Sequence, residues 1–449
     1  MSTLSVIKGT ALAALRRFLM ETTSNIKECP TRRLALALAV LAFLPVLLFR
    51  LVGGQMAGAQ AAGNQTTYII TDLGTLGGTS SQGDYVNANR AVSGFSTLIG
   101  DTVLHAFLWE NGVLTDLGSG FHGPNSAAII INASEVSTGN AQYSSTATTG
   151  VETLFCNSPF VCHAATWTRS GVLTDLGTLG GPASAGLFIN DSDQVVGVSE
   201  TKTIDPFGFD GIDGGGFPAI RGFVFQNGKM TALSTLGGHD SIANANNNLG
   251  QVGGTAQLAG GIDPSVGFVP QHPVTWTNGA ILDLGTLGGE FGFVESMNSI
   301  GQVSGISTLA GEAHAHGFIW QNGVMTDVGT LLGDTDSDVS QINNLGEGVG
   351  FSANSTAMRA TILQNGVMTD LNALISPNSG YQLFASTGNN DLGQIVVVAN
   401  VISTGEVHAV LLTPSNNSSR GKPGGALLTP SLRAELKKRL AWARLKFLN

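Results

Sequence analysis

The sequence predicts an all-β fold: a seven-bladed β-propeller of four-stranded blades, closed by its N-terminal strand. An N-terminal signal or anchor helix and a C-terminal amphipathic helix are expected outside it. Three observations carry this reading. First, a phrase clearest at His105-Ala-Phe-Leu-Trp-Glu-Asn-Gly-Val-Leu-Thr-Asp-Leu-Gly118 recurs along the chain, marked by Asp72, Asp116, Asp175, Ala232, Asp283, Asp327 and Asp370. The spacing runs from 43 residues (Asp327 to Asp370) to 59 (Asp116 to Asp175), a period at which each unit buries its core only by stacking on its neighbours. Second, Asn-Gly stands at the same point of five copies (Asn111, Asn227, Asn278, Asn322 and Asn365). Asn-Gly favours the two-residue hairpin turn, in which both residues take positive φ. Third, the last copy ends at His408-Ala-Val-Leu-Leu-Thr-Pro414 without a Thr-Asp-Leu-Gly partner, while Tyr68-Ile-Ile-Thr-Asp-Leu-Gly74 has no strand before it. Pairing the two removes two open sheet edges at once.

Each copy reads as strands A to D. Strand A ends at an Asn, marked by Asn87, Asn132, Asn190, Asn246, Asn298, Asn343 and Asn389. Strand B is of the Gln194-Val-Val-Gly type, strand C of the His-Ala-Phe-Leu-Trp type and strand D of the Val-Leu-Thr-Asp-Leu type. Runs such as Phe107-Leu108-Trp109 and Val195-Val196 are apolar on both faces, which suits strands covered on both sides.

At these residues the chain resembles the bacterial HAF-family extracellular repeat proteins. The resemblance covers about Thr67 to Pro414 and rests on His105-Ala106-Phe107 and on the Asn-Gly-Val-Leu-Thr-Asp-Leu-Gly-Thr-Leu-Gly-Gly pattern. Elsewhere the triplet drifts, as at His163-Ala-Ala, Arg221-Gly-Phe and Arg359-Ala-Thr. The resemblance implies an exported bacterial protein and carries over no catalytic residue.

The ends differ from the repeats. Residues 1–33 are a basic lead. Residues 34–62 hold an apolar run, Leu34 to Phe49, followed by small residues around Ala57-Gly-Ala59. This suits a signal-peptide core or an uncleaved anchor. After the repeats (67–414), residues 415–429 read as a linker. Residues 430–449 read as a basic amphipathic helix with Leu432, Leu436, Leu440, Ala443 and Phe447 on one face, suited to a membrane surface or to the acidic body. Between Asn64 and Pro414 there are 6 Lys and Arg against 28 Asp and Glu, a net of −22. Such a body repels nucleic acid and anionic bilayers. A monomer is expected, exported to the periplasm, cell surface or medium.

The hairpin register makes His105 and Asp116 diagonal neighbours on one face. The same holds for His163 with Asp175, His272 with Asp283, His316 with Asp327 and, by closure, His408 with Asp72. The expectation is a buried imidazole donating to a carboxylate, a structural device copied around the fold. Cys156 and Cys162 suit a loop-stapling disulfide in an oxidising compartment. Asp334-Thr-Asp336-Ser-Asp338 alternates carboxylates as a calcium loop does, but has Val339 where that loop needs Gly and Leu345 where it needs Glu. No other cofactor is expected. The connections from B to C are long in the second, third and fourth copies and should form one raised rim holding Tyr143, Asp205, Phe207, Phe209, Asp210, Asp213 and Asp263. Loops on a rigid frame are where binding sites arise. The expected function is non-enzymatic binding or scaffolding, with a glycan or an envelope protein as partner. The alternative is a carbohydrate-active hydrolase or lyase using the rim carboxylates at about 5–10 Å separation.

Overall fold

The structure is a computed structural model that describes residues 66–148, 155–208, 216–415 and 426–427. The N-terminal apolar run and the C-terminal helix expected over 430–449 lie outside the described residues. The fold is all-β and propeller-like. Among the described residues, helical structure is confined to a 3-10 turn at Leu371–Leu374.

Six antiparallel four-stranded meanders follow one another, beginning at Gly77, Ser126, Gly180, Gly237, Gly288 and Asp336. The first runs Gly77–Val86, Val92–Leu98, Leu104–Glu110 and Val113–Asp116. A seventh has Tyr381–Asn389, Ile395–Val401 and Val407–Ser415, and its fourth strand is the N-terminal Thr67–Asp72, paired antiparallel from Thr67↔Ser415 to Asp72↔Val410. The first and seventh meanders share one core cluster, in which Val86, Val92 and Phe107 meet Val396, Ala409 and Leu411.

Local chemistry explains the repeated phrases. Asn111, Asn227, Asn278, Asn322 and Asn365 have φ of 50–52°, each followed by a Gly with positive φ, as a type I′ hairpin requires. In Thr-Asp-Leu-Gly the carboxylate of Asp116 accepts the Gly118 N–H at 2.7 Å, and Asp72, Asp175, Asp283 and Asp327 do the same for Gly74, Gly177, Gly285 and Gly329. A serine on the first strand of four units then ties each of these to the unit before it. Ser126 Oγ donates to Gly118 O and accepts from Ala106 N; Ser184 and Ser337 repeat this in the third and sixth meanders, and Ser81 repeats it toward the seventh.

The inner-strand asparagines correct one expectation. The equivalent residues of the fourth and seventh units are Asn247 and Asn390, not Asn246 and Asn389. Each ring asparagine bonds its own turn, as when Asn190 Oδ1 accepts from Ser192 N and Gln194 N. Each Nδ2 then donates to the backbone carbonyl of the next: Asn87 to Asn132, on to Asn190, Asn247, Asn298, Asn343 and Asn390, and from Asn390 back to Asn87 at 3.0 Å. Asn246 and Asn389 instead donate backwards, to Gln194 O and Glu347 O. Most of the expected linker, 415–429, lies outside the described residues. Ser415 is still strand, and Ala426–Leu427 pair with Met358 and Ala357 on the sixth unit.

Candidate functional site

All five expected His–Asp pairs form. His105 Nδ1 donates to both Asp116 oxygens at 2.8 and 2.9 Å. The same geometry recurs at His163–Asp175, His272–Asp283, His316–Asp327 and His408–Asp72, at 2.8–3.1 Å. Nδ1 must carry the proton, because a carboxylate only accepts. These pairs are not buried as expected: in His105–Asp116 the imidazole is 13% exposed and the carboxylate 41%. The reason is that each aspartate also caps a surface turn. Asp72 is the most enclosed. Burial raises its carboxyl, but hydrogen bonds from His408 and Gly74, the charge of His408 and the Tyr381 hydroxyl together hold it below its ordinary value.

The two repeats with Arg at the histidine position behave differently. Arg359 bonds the fully buried carboxylate of Asp334. Arg221 lies among Asp205 and Asp240, each about 1% exposed. Burial pulls the Arg221 guanidinium down, against the attraction of Asp240 and Asp205, and its Nη1 has no hydrogen-bond partner. Burial, and then the charge of Asp205, push the Asp240 carboxyl well above the usual carboxylate range. Asp205 was expected on the open rim; instead its side chain is sealed in this cluster, and its carboxylate caps Phe207 N. Burial thus favours the protonated form of Asp240.

The proton is replaceable. In the second repeat Asn125 occupies the position of Asp240: it accepts Leu104 N–H as Asp240 accepts Ile220 N–H, and it donates to Gln142. Gln257 accepts the Asp240 N–H through Oε1 at 3.0 Å and donates Nε2 to Asp240 Oδ2 at 3.3 Å, so an Asn side chain here would turn its amide toward that Oε1, as Asn125 does toward Gln142. Asp240 favours its protonated form when folded, so its contribution is full below the unfolded carboxyl value and is lost as pH rises through the raised folded value. Asp240→Asn should therefore gain on the parent as pH rises. Urea unfolding at pH 4 and pH 8 measures this; a variant less stable than the parent at pH 8 would refute a protonated Asp240.

At the end of the fold carrying the connections from B to C, the structure brings together part of the expected rim. Cys156 and Cys162 form a disulfide and pack with Phe155, Val161, Ile220 and Ile242. Tyr143 stacks on the His163 ring, centroids 3.5 Å apart, with Phe121 and His122 edge-on to it. Phe207 lies 5.9 Å from His239 between ring centroids. Asp263 is partly exposed and bonds Ser265, which together with the Ser265 N–H holds its carboxyl below the ordinary value. Phe209, Asp210 and Asp213 lie outside the described residues. The segment that alternates carboxylates as a calcium loop does is not a loop, because Asp336–Ile342 is a strand. Its carboxylates are engaged separately: Asp334 by Arg359 and Ser352, Asp336 by Ala315 N, Thr335 and His314, Asp338 by Ser340.

The opposite end holds a pocket of about 170 Å³, lined by the ring asparagines together with Tyr85, Phe188, Asp191 and Asp391, with room for several waters. Burial, then the charges of Asp191 and Asp391, raise the Tyr85 hydroxyl to about 12. Sequence reasoning missed this pocket, although the recurring Asn was its signal.

No protein family matches the chain by sequence, and no curated protein does. Among solved structures, the chain is similar to the β-propeller domain of the Trilobed protease from Pyrococcus furiosus, at 9% identity and TM-score 0.45, over 78% of this chain and 96% of that one. It is similar to a gluconolactonase from Xanthomonas campestris at 10% identity and TM-score 0.35, over 80% of this chain and 99% of that one. It is also similar to an acylaminoacyl peptidase from Pyrococcus horikoshii at 10% identity and TM-score 0.42, over 76% of this chain and 52% of that one.

Proposed function

We propose that this chain is an exported bacterial envelope protein of the HAF-type repeat class. In this reading it is built as a closed seven-bladed propeller and works as a non-enzymatic binding or scaffolding module. The observation that carries the reading is the contrast between the two kinds of chemistry in the fold. The His–Asp pairs, serine bridges and asparagine ladder are copied around it and serve turns and strand contacts. What is not copied is gathered at the end that carries the connections of the second to fourth repeats: a disulfide-pinned loop, Tyr143 on its strand stacked on His163, and Phe207 and Asp263. A rigid frame with one irregular, aromatic-bearing end suits recognition of a glycan or an envelope protein. The disulfide suits an oxidising compartment. The Asp205–Asp240 pair favours no hydrolytic reading, since it is sealed from the solvent that a substrate would have to displace. Purified full-length protein incubated with a glycan panel, with binding and product formation both read out, tests the reading. Binding without turnover, weakened by Tyr143→Ala or Phe207→Ala, is expected; turnover abolished by Asp263→Asn would overturn it in favour of a hydrolase or lyase.

A further inference from the structure

The turn that follows each inner strand differs between two parts of the ring. Two residues after the ring asparagine, the first three repeats carry Asn89, Ser134 and Ser192; the next four carry Leu249, Ile300, Leu345 and Leu392. These four aliphatic side chains are 68%, 61%, 66% and 51% exposed. The turn does not require them, since serine makes the same turn in the second and third repeats. They stand on neighbouring turns, because Ser299 N donates to Asn344 Oδ1 and Asn344 N to Asp391 Oδ1, at 2.9 and 2.8 Å. Charge is divided the same way. The residue after each is Arg90, Glu135 or Asp193 in the first three repeats and glycine (Gly250, Gly301, Gly346, Gly393) in the other four. The four apolar turns, 246–251, 297–302, 342–347 and 389–394, contain no Lys or Arg; their two acids, Glu347 and Asp391, are bonded to Asn343, Gln364 and Asn344.

The chain also enters the β-structure at this end. Tyr68 pairs with Pro414, and Pro414 lies against Gly393, the neighbour of Leu392. Gln394 Nε2 donates to Thr413 Oγ1 at 3.3 Å. In the sequence, the apolar run ending at Phe49 precedes Thr67 by residues 50–66, a tether that reaches about 60 Å at most.

We propose that the arc of Leu249, Ile300, Leu345 and Leu392 is a lipid-docking surface that enters the headgroup region of a bilayer without net charge. Aliphatic side chains gain by leaving water for that region. The lack of Lys and Arg on the arc removes the usual attraction to anionic lipid, and the acidic body opposes it. The irregular end with the long connections then faces away from the bilayer. The inference rests on the exported reading with the N-terminal run retained as an anchor.

The test uses the full chain with Cys29→Ser, reconstituted into phosphatidylcholine vesicles with the disulfide intact. An environment-sensitive fluorophore is placed at Leu345→Cys or Ile300→Cys, and at Ser134→Cys as the matched position of a polar turn. All three sites are on turns, and thermal melts check that each variant folds. The expected result is flotation with the vesicles, with quenching by a lipid-borne quencher several-fold stronger at 345 and 300 than at 134. Equal quenching at the three sites overturns the inference while leaving the anchored reading intact. Failure to float overturns both. A blue-shifted probe at 345 without lipid quenching would show a second copy of the chain on the arc and would also overturn it.

Discussion

Deleting Thr67–Gly74 should abolish cooperative folding, and returning the strand at the other end of the ring should restore it. The deletion strips Val410 and Leu412, both fully buried, of their strand partner. It removes the buried side chains of Tyr68 and Leu73, worth roughly 2 kcal/mol or more each. It also removes the backbone bond from Leu73 to Ala409 and the bonds of Asp72 to His408 and Tyr381. Set against a total stability of about 5–15 kcal/mol for a domain, that loss leaves an open, aggregation-prone edge rather than a weakened native state. The other repeats prescribe the rescue. Glu110 pairs with Val113 across Asn111-Gly112, and Thr413 pairs with Ile69 in the same register. A chain that ends Thr413-Asn-Gly and continues with residues 69–74 should fold and melt in one transition, somewhat below the parent because Tyr68 is lost. Size-exclusion chromatography and thermal melts read both outcomes. A deletion that melts like the parent, or a permuted chain that aggregates like the deletion, would refute the role assigned to this strand. Acid should loosen the same clasp: the stabilisation from Asp72 is present above the ordinary carboxylate range and is lost as pH falls through its lowered folded value.

The second large effect is expected at the ring asparagines. Asn298→Ala removes the donor to Asn343 O and the acceptor of Ile300 N and Gln302 N, at a residue 4% exposed. One buried and two part-buried hydrogen bonds, at about 1 kcal/mol each, make a loss of about 3 kcal/mol. Asn298→Asp should be no better, since a carboxylate keeps the acceptor but turns a second oxygen toward the Asn343 carbonyl. Exposed Ser299→Ala in the same turn should cost less than about 0.5 kcal/mol. Urea unfolding of the three variants provides the comparison; a loss below about 1 kcal/mol for Asn298→Ala would mean that the ladder is a consequence of the fold rather than a support for it.

Much of this architecture was legible in the chain. Asn-Gly can be read from sequence because positive φ at two successive positions is a local demand that few residues meet. The His–Asp pairs were legible because a two-residue hairpin sets register, and register sets which side chains face one another. The Cys156–Cys162 disulfide was legible because the two residues share one short loop.

What the sequence could not determine is what each polar side chain meets across the gap between repeats. Asn246 and Asn247 are alike in sequence; only the packing of the third and fifth repeats shows that Asn247 carries the ladder while Asn246 points backwards. Asp205 reads as a loop carboxylate, yet the fold carries it beneath the surface to Asp240 and Arg221, residues separated from it by a strand or more of sequence. The arc of Leu249, Ile300, Leu345 and Leu392 reads in sequence as four unrelated apolar residues in turns. Periodicity, turn type and hairpin register are properties of a few neighbouring residues, and the sequence determined them. Burial, ionisation and the making of a shared surface depend on atoms brought together from repeats about fifty residues apart, and only the tertiary structure decided those.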